Sequence, residues 1–400
     1  MADPPPVAPP RTIRIMLVAG EPSGDAIGAR LMAALKLRTL GKVAFSGIGG
    51  ARMAEQGLAS RVPLAELSVM GLVEVLPRVP NLLRRLRETA DFALAERPDA
   101  VVSIDAPGFS FRLARRLAGR GIPLVHVVAP TVWAWRPGRA RTIARFLDHL
   151  LVLLPFEPPY FEREGLATTF VGHPVLDSGA DRGQGAAFRA RHGIAAKTPL
   201  LAVLPGSRAG EVSRLLPVFG ETLALLRRRI GGLQAVVPTL APVAGTVRQA
   251  AAQWPVPTAV LAETDEKYDA MAASQAALAA SGTVALELAL ADVPAVVAYR
   301  VHPVTAFLAR RLVRVRYANL VNILLDRPVV PELLQQDCVP SKLAEAVERV
   351  MIDEAARAAQ HDAALSAMRL LGRDDQAPSL RAADALLRAI ALGPRRRGTV

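Results

Sequence analysis

Along this chain, short unbroken apolar runs alternate with stretches of helical spacing, and the alternation predicts the architecture. Runs at 13–19, 42–46, 100–104, 123–128, 150–154 and 168–171 have the length of buried parallel strands, with helical sequence between them. A second series follows at 200–204, 233–237, 257–261, 275–279 and 294–299. Repeated strand–helix alternation of this kind gives parallel sheets covered on both faces, so the fold class is α/β with two Rossmann-like, doubly wound domains facing each other across a cleft. The expected boundaries are a Pro-rich tail at 1–12, a first domain at 13–178, a linker at 179–198, a second domain at 199–375, and a C-terminal helix with a basic tail at 376–400. The linker assignment rests on the polar, Gly-containing stretch Ser178-Gly179-Ala180-Asp181-Arg182-Gly183-Gln184-Gly185.

Chemistry in such folds gathers in the loops that leave the carboxyl ends of strands. The run 200–204 breaks at Pro205-Gly206-Ser207-Arg208 before helical spacing resumes at Val212, Leu215, Leu216 and Phe219. A tight loop before a helix start favours an anion, and the forked guanidinium of Arg208 matches phosphate. The plainer alternative is a simple turn with a solvated arginine. Ala280-Ser281-Gly282-Thr283 repeats the geometry, with Glu287 one turn into the next helix, where a carboxylate reaches ribose hydroxyls or else merely faces solvent. In the first half, Gly20-Glu21-Pro22-Ser23-Gly24-Asp25 is small and acidic, which suits hydroxyls better than phosphate. Asp105 ends the run 100–104 and reads either as a general base or as the cap of the helix that follows. His126 lies inside a strand and reads as a core histidine, and the glycines at 47–50 read as structural.

The segment 68–87 breaks the soluble pattern. Met70, Leu72, Val73, Val75 and Leu76 cluster just ahead of Arg84 and Arg85, as an interfacial element requires for acyl chains and lipid phosphates. Trp133 and Trp135, in one loop, read as stacking or lipid-interface residues or as core plugs. Charge sharpens this picture: 49 Lys+Arg against 36 Asp+Glu leave +13, so anionic partners are expected. One cysteine, Cys338, excludes a disulfide framework and a cysteine metal cluster. No apolar run approaches the ~18 residues of a membrane-spanning helix, and the first residues carry no secretion signal.

Together the motifs VAGEPSGD (18–25), GIGGARM (47–53), SVMGLVEVLP (68–77), IDAPGF (104–109), PTVWAWR (130–136), LPFE (154–157), VGHPVLD (171–177), LPGSR (204–208) with Glu211, ASGTVALE (280–287) and VVPELLQ (329–335) follow one another in family order. The chain thereby resembles the lipid-A-disaccharide synthase family of Gram-negative bacteria, which acts in lipopolysaccharide biosynthesis. One departure stands at Val321-Asn322, where the family leads us to expect Pro-Asn.

The resemblance implies a GT-B glycosyltransferase with an acceptor-binding first domain and a nucleotide-binding second one, the last helix crossing back as GT-B chains do. It implies transfer of 2,3-diacylglucosamine from its UDP donor to the 6-hydroxyl of 2,3-diacylglucosamine 1-phosphate, with inversion to a β-1,6 bond and release of UDP. Inversion calls for one base, expected at Asp105 with Glu21 and Asp25 as alternatives. Gly206, Ser207, Arg208, Glu211, Ser281, Gly282, Thr283, Glu287 and Asn322 are expected around the UDP, with no metal and no cofactor. The expected setting is the cytoplasmic face of the inner membrane, held peripherally on anionic lipid, without nucleic acid; a homo-oligomer is compatible. Two rivals remain at this stage: a UDP-sugar epimerase of the same fold, which has no use for the apolar 68–87 segment, and a basic nucleic-acid-binding protein, against which the 4% aromatic content speaks.

Overall fold

The computed structural model describes residues 11–67, 79–262, 265–301 and 315–395, and the chain divides into two compact units, residues 1–174 with 374–400, and residues 175–373. The apolar cluster Met70 to Leu76 lies outside the described residues.

The first unit is built on β1 (Ile13–Ala19), β2 (Val43–Ile48), β3 (Ala100–Ile104), β4 (Leu124–Val127), β5 (His149–Val152) and β6 (Ala167–Phe170). These pair in parallel in the order β2-β1-β3-β4-β5-β6. Side chains alternate across the sheet, as strand geometry dictates. Ile15, Leu17 and Ala19 enter one core layer, and Met16 and Val18 enter the other. Burial on both faces explains why the strand reads as a continuous apolar run. The helix Pro378–Leu392 belongs to this unit: Ala382, Ala383, Leu386 and Ala389 join the layer that holds Leu31 and Leu35 of the helix Pro22–Arg38. Arg38 pairs with Asp384 at 2.9 Å within it. Proline occupies the first turn of both helices, where the missing N–H has no partner to lose.

In the second unit β7 (Leu200–Leu204), β8 (Gln234–Thr239), β9 (Thr258–Ala262), β10 (Ala276–Ala280), β11 (Ala295–Tyr299) and β12 (Glu332–Leu334) form a parallel sheet ordered β12-β11-β10-β7-β8-β9. Counted from β7, that is the dinucleotide-fold order 3-2-1-4-5-6. Both sheets therefore have a point where the winding reverses, between β1 and β3 in the first and between β7 and β10 in the second. Ligands of open α/β sheets bind outside the carboxyl ends of the strands at such points.

Two expectations are corrected here. The stretch 179–198, expected as a linker, lies within the second unit: it carries the turn Ala180–Arg182 and the helix Gly185–Arg191, and Phe188 is fully buried against that unit's core. Gln184 N–H donates to Asp269 and Arg191 pairs with Glu266 and Asp269, which fixes the helix in place. The sixth strand of the second sheet, β12, escapes the apolar-run criterion because it is three residues long and only half-buried.

Candidate active site

The first switch point brings the loops after β1 and β3 together. Gly20 makes this approach possible, since a Cβ there would stand 2.4 Å from the Cβ of Ala106. Asp105 and Ala106 both adopt left-handed backbone conformations, with φ of 53° and 46°. Two consecutive non-glycine residues in that region store strain of about 1–3 kcal/mol each, the kind of cost that accumulates at functional sites. Asp105 is held in this posture by its N–H to Val127 O at 3.0 Å and by Ser110 Oγ, which donates to its carbonyl at 2.7 Å. Its half-buried carboxylate accepts from Ala106 N–H at 2.9 Å and from Ser23 Oγ at 3.1 Å. The helix Pro107–Leu117 is preceded by Ala106 in the capping position, so Asp105 does not cap it. Glu21, half-buried, precedes the helix Pro22–Arg38 in the neighbouring loop.

Asp25 is corrected from a candidate base to a structural residue. It is 5% exposed, and its carboxylate accepts from Gly50 N–H at 2.7 Å and from Arg52 and Met53 N–H, each at 3.1 Å. It therefore caps the helix Ala51–Glu55 from a distant part of the chain, and its oxygens are committed.

The four described residues expected at the lipid interface have partners within their own unit. Arg85 forks onto Glu66 at 2.8 and 3.0 Å and also meets Glu88, and Arg84 pairs with Glu88 and Asn81, so both charges are engaged within the unit. Trp133 donates its indole N–H to Glu157 at 3.2 Å and stands edge-on to Phe156. Glu157 is 3% exposed, and burial pushes its carboxyl up to about 7 despite bonds from the Leu153 and Leu154 N–H groups. Trp135, half-buried, bonds Thr131 and lies beneath the guanidinium of Arg136. His126 is a core residue: fully buried, 2.7 Å from Ser103 Oγ, and pushed down to about 3 by desolvation.

The second switch point holds a cavity of about 370 Å³, within the range of small-ligand sites. Gly206, Ser207 and Glu211 line it from the β7 loop, and Ser281, Gly282, Thr283 and Glu287 from the β10 loop. Pro238, Leu240, Leu261 and Val284 give it an apolar wall. Arg208, exposed and extended, sits in the capping position of the 21-residue helix Ala209–Arg229 beside the cavity.

Glu211, expected around the UDP, lines the cavity and also supports its own loop. Its carboxylate already takes the Ser207 and Arg208 N–H groups, and burial pushes its pKa up. It fills the space over Gly206, whose φ of +108° and hypothetical Cβ only 2.1 Å from Glu211 Oε2 both require glycine. Asn322 is likewise structural. It is 0% exposed and spends its amide on Val330 and Glu332 and its oxygen on the Val329 and Val330 N–H groups. The Val321 departure also becomes intelligible, because Val321 N–H donates to the capping Asn319 at 2.7 Å, a bond proline lacks.

Sequence reading missed two cavity-side residues. Lys267 Nζ donates to Glu287 Oε2 at 2.5 Å and Tyr268 OH to Oε1 at 3.0 Å. Both follow Asp265 and Glu266 in a polar stretch that looks solvated, and only the lone lysine among acids hints otherwise.

Residues 15–383 match the family model described as lipid-A-disaccharide synthetase. The chain is 61% identical over 382 residues to a lipid-A-disaccharide synthase of Rhodospirillum centenum, covering 95% of each, and 55% identical over 387 residues to that of Paramagnetospirillum magneticum, covering 96% and 99%. Among solved structures, a UDP-GlcNAc 2-epimerase of Neisseria meningitidis bound to UDP-GlcNAc is similar with a TM-score of 0.64 at 11% identity, covering 95% and 100%. A MurG of Acinetobacter baumannii is similar with a TM-score of 0.57 at 16% identity, covering 94% and 99%. At these identities the structural likeness shows the shared two-sheet GT-B fold.

Proposed function

The chain belongs to the lipid-A-disaccharide synthase family and is a glycosyltransferase with a UDP-sugar donor, and we propose how its two switch points divide that reaction. The reaction moves 2,3-diacylglucosamine from UDP to the 6-hydroxyl of 2,3-diacylglucosamine 1-phosphate, inverting the anomeric carbon. The cavity between the β7 and β10 loops carries the donor assignment, because it combines an apolar wall, small loop residues, hydroxyls and an adjacent guanidinium. Uracil packs on Pro238, Leu240, Leu261 and Val284, and Glu287 accepts from the ribose hydroxyls. Arg208 and the hydroxyls of Ser207 and Thr283 take the diphosphate, whose charge grows as the glycosidic bond breaks.

At the first switch point Asp105 accepts the proton of the acceptor 6-hydroxyl as that oxygen attacks the anomeric carbon. Ser23 holds the carboxylate, and Glu21 bonds sugar hydroxyls. The acyl chains of both substrates place the work at a membrane surface, and the +13 charge suits an anionic one. The epimerase of Neisseria meningitidis shares the fold at 11% identity, whereas the transferase family spans residues 15–383, so the transferase reading stands over the epimerase alternative.

Arg208→Met tests the donor assignment. UDP affinity is expected to fall about thirtyfold by calorimetry, as when a charge-assisted phosphate contact is lost, while uridine affinity stays within twofold. Equal losses for UDP and uridine would remove Arg208 from the diphosphate.

A further inference from the structure

We propose that Lys267 and Tyr268 are positioning residues that make the second-unit cavity read the ribose diol of its nucleotide. This rests on the donor-site reading and adds to it the device that sets sugar specificity.

The observation is the disposition of Glu287. Its side chain is 19% exposed and lies on the cavity wall, with Lys267 on one oxygen and Tyr268 on the other. Lys267 is itself 38% exposed, lines the same cavity and lies over the Tyr268 ring at 5.3 Å. The helix Lys267–Ala273 that carries both residues is anchored independently of the cavity, since Asp269 receives Gln184 N–H and Arg191. Lysine and tyrosine are thus delivered by a fixed element.

A glutamate with three free side-chain torsions at a cavity edge presents its oxygens in many directions, and a vicinal diol needs both oxygens at once. Each carboxylate oxygen has capacity for a second donor after taking one. With one donor from the protein on each oxygen, the remaining acceptor directions are fixed before the nucleotide arrives, and the entropy of ordering the carboxylate is removed from binding. The charge-assisted Lys267 bond is the stronger restraint, and the neutral Tyr268 bond sets the rotation about the carboxylate axis. A 2′-deoxyribose offers one hydroxyl fewer and gains correspondingly less from the arrangement.

The test uses the full chain with UDP and 2′-deoxy-UDP as probes, by calorimetry, together with steady-state kinetics on the UDP-sugar. In Lys267→Met the UDP dissociation constant is expected to rise about tenfold and that of 2′-deoxy-UDP less than threefold, so discrimination between the sugars collapses. KM for the donor rises in parallel while kcat stays within twofold. Lys267→Arg restores most of the discrimination, and Tyr268→Phe gives a smaller loss in the same direction. Equal weakening toward both nucleotides, or discrimination unchanged in Lys267→Met, would overturn the role assigned to Lys267. Failure of the parent chain to bind UDP at all would overturn the donor-site reading beneath it.

Discussion

Asp105→Asn is expected to lower the rate of sugar transfer about a thousandfold, with the fold and UDP affinity unchanged. The amide keeps the shape of the acid. Its oxygen still accepts the Ala106 N–H, and its nitrogen can donate to Ser23 Oγ, since a hydroxyl accepts as readily as it donates. What disappears is the capacity to take a proton from the attacking hydroxyl. A general base contributes two to four orders of magnitude, and no partner seen at Asp105 replaces it. The variant is checked by steady-state transfer kinetics alongside its thermal unfolding. Retention of activity within tenfold would remove Asp105 as the base and turn attention to Glu21, the other acid of that loop pair.

Asp25→Ala is expected to do the reverse: about 3 kcal/mol of stability lost, with the turnover of the remaining folded protein within threefold. Three backbone N–H groups, of Gly50, Arg52 and Met53, lose their acceptor together, and a largely buried donor left unpaired costs about 1–3 kcal/mol. Partial access of water at Arg52, which is exposed, keeps the sum near the lower end. For a unit of this size the loss corresponds to roughly 6–12 °C in melting temperature. A variant that melts with the parent and yet is inactive would return Asp25 to the chemistry.

The contrast between these two aspartates shows what the sequence made legible. Both stand in small-residue loops that follow the carboxyl ends of strands, and both looked like candidate acids. They are separated by what reaches them: Asp105 meets its own loop and Ser23, whereas Asp25 meets N–H groups 25 to 28 residues away that no local pattern announces. The same physics explains the tryptophans, since Glu157 lies 24 positions from Trp133 and its burial is a property of the folded loop. Strand positions were readable because a parallel strand buried on both faces must be apolar throughout, and because Gly and Pro punctuate its ends. Strand order was not readable, yet it is the order that sets Gly206 beside Ser281 and Ser23 beside Asp105. At 179–198 glycines and charges suggested a linker, and the buried Phe188 anchors a helix there. The donor loops were legible as loops, but the hydrogen bonds that tie Glu211 and Asn322 to the backbone were not. Asn322 spends its whole amide on neighbouring groups, whereas Glu211 holds the Ser207 and Arg208 N–H groups from the cavity wall.

Product analysis of the parent chain separates sugar transfer from epimerisation. The enzyme is incubated in detergent micelles with UDP-2,3-diacylglucosamine, with and without 2,3-diacylglucosamine 1-phosphate, and the products are identified by NMR. UDP and a β-1,6-linked disaccharide 1-phosphate are expected in equal amounts, formed only when the acceptor is present. Conversion of the donor sugar to an epimer without acceptor, or the absence of disaccharide from a folded and UDP-binding enzyme, would contradict the transferase reading.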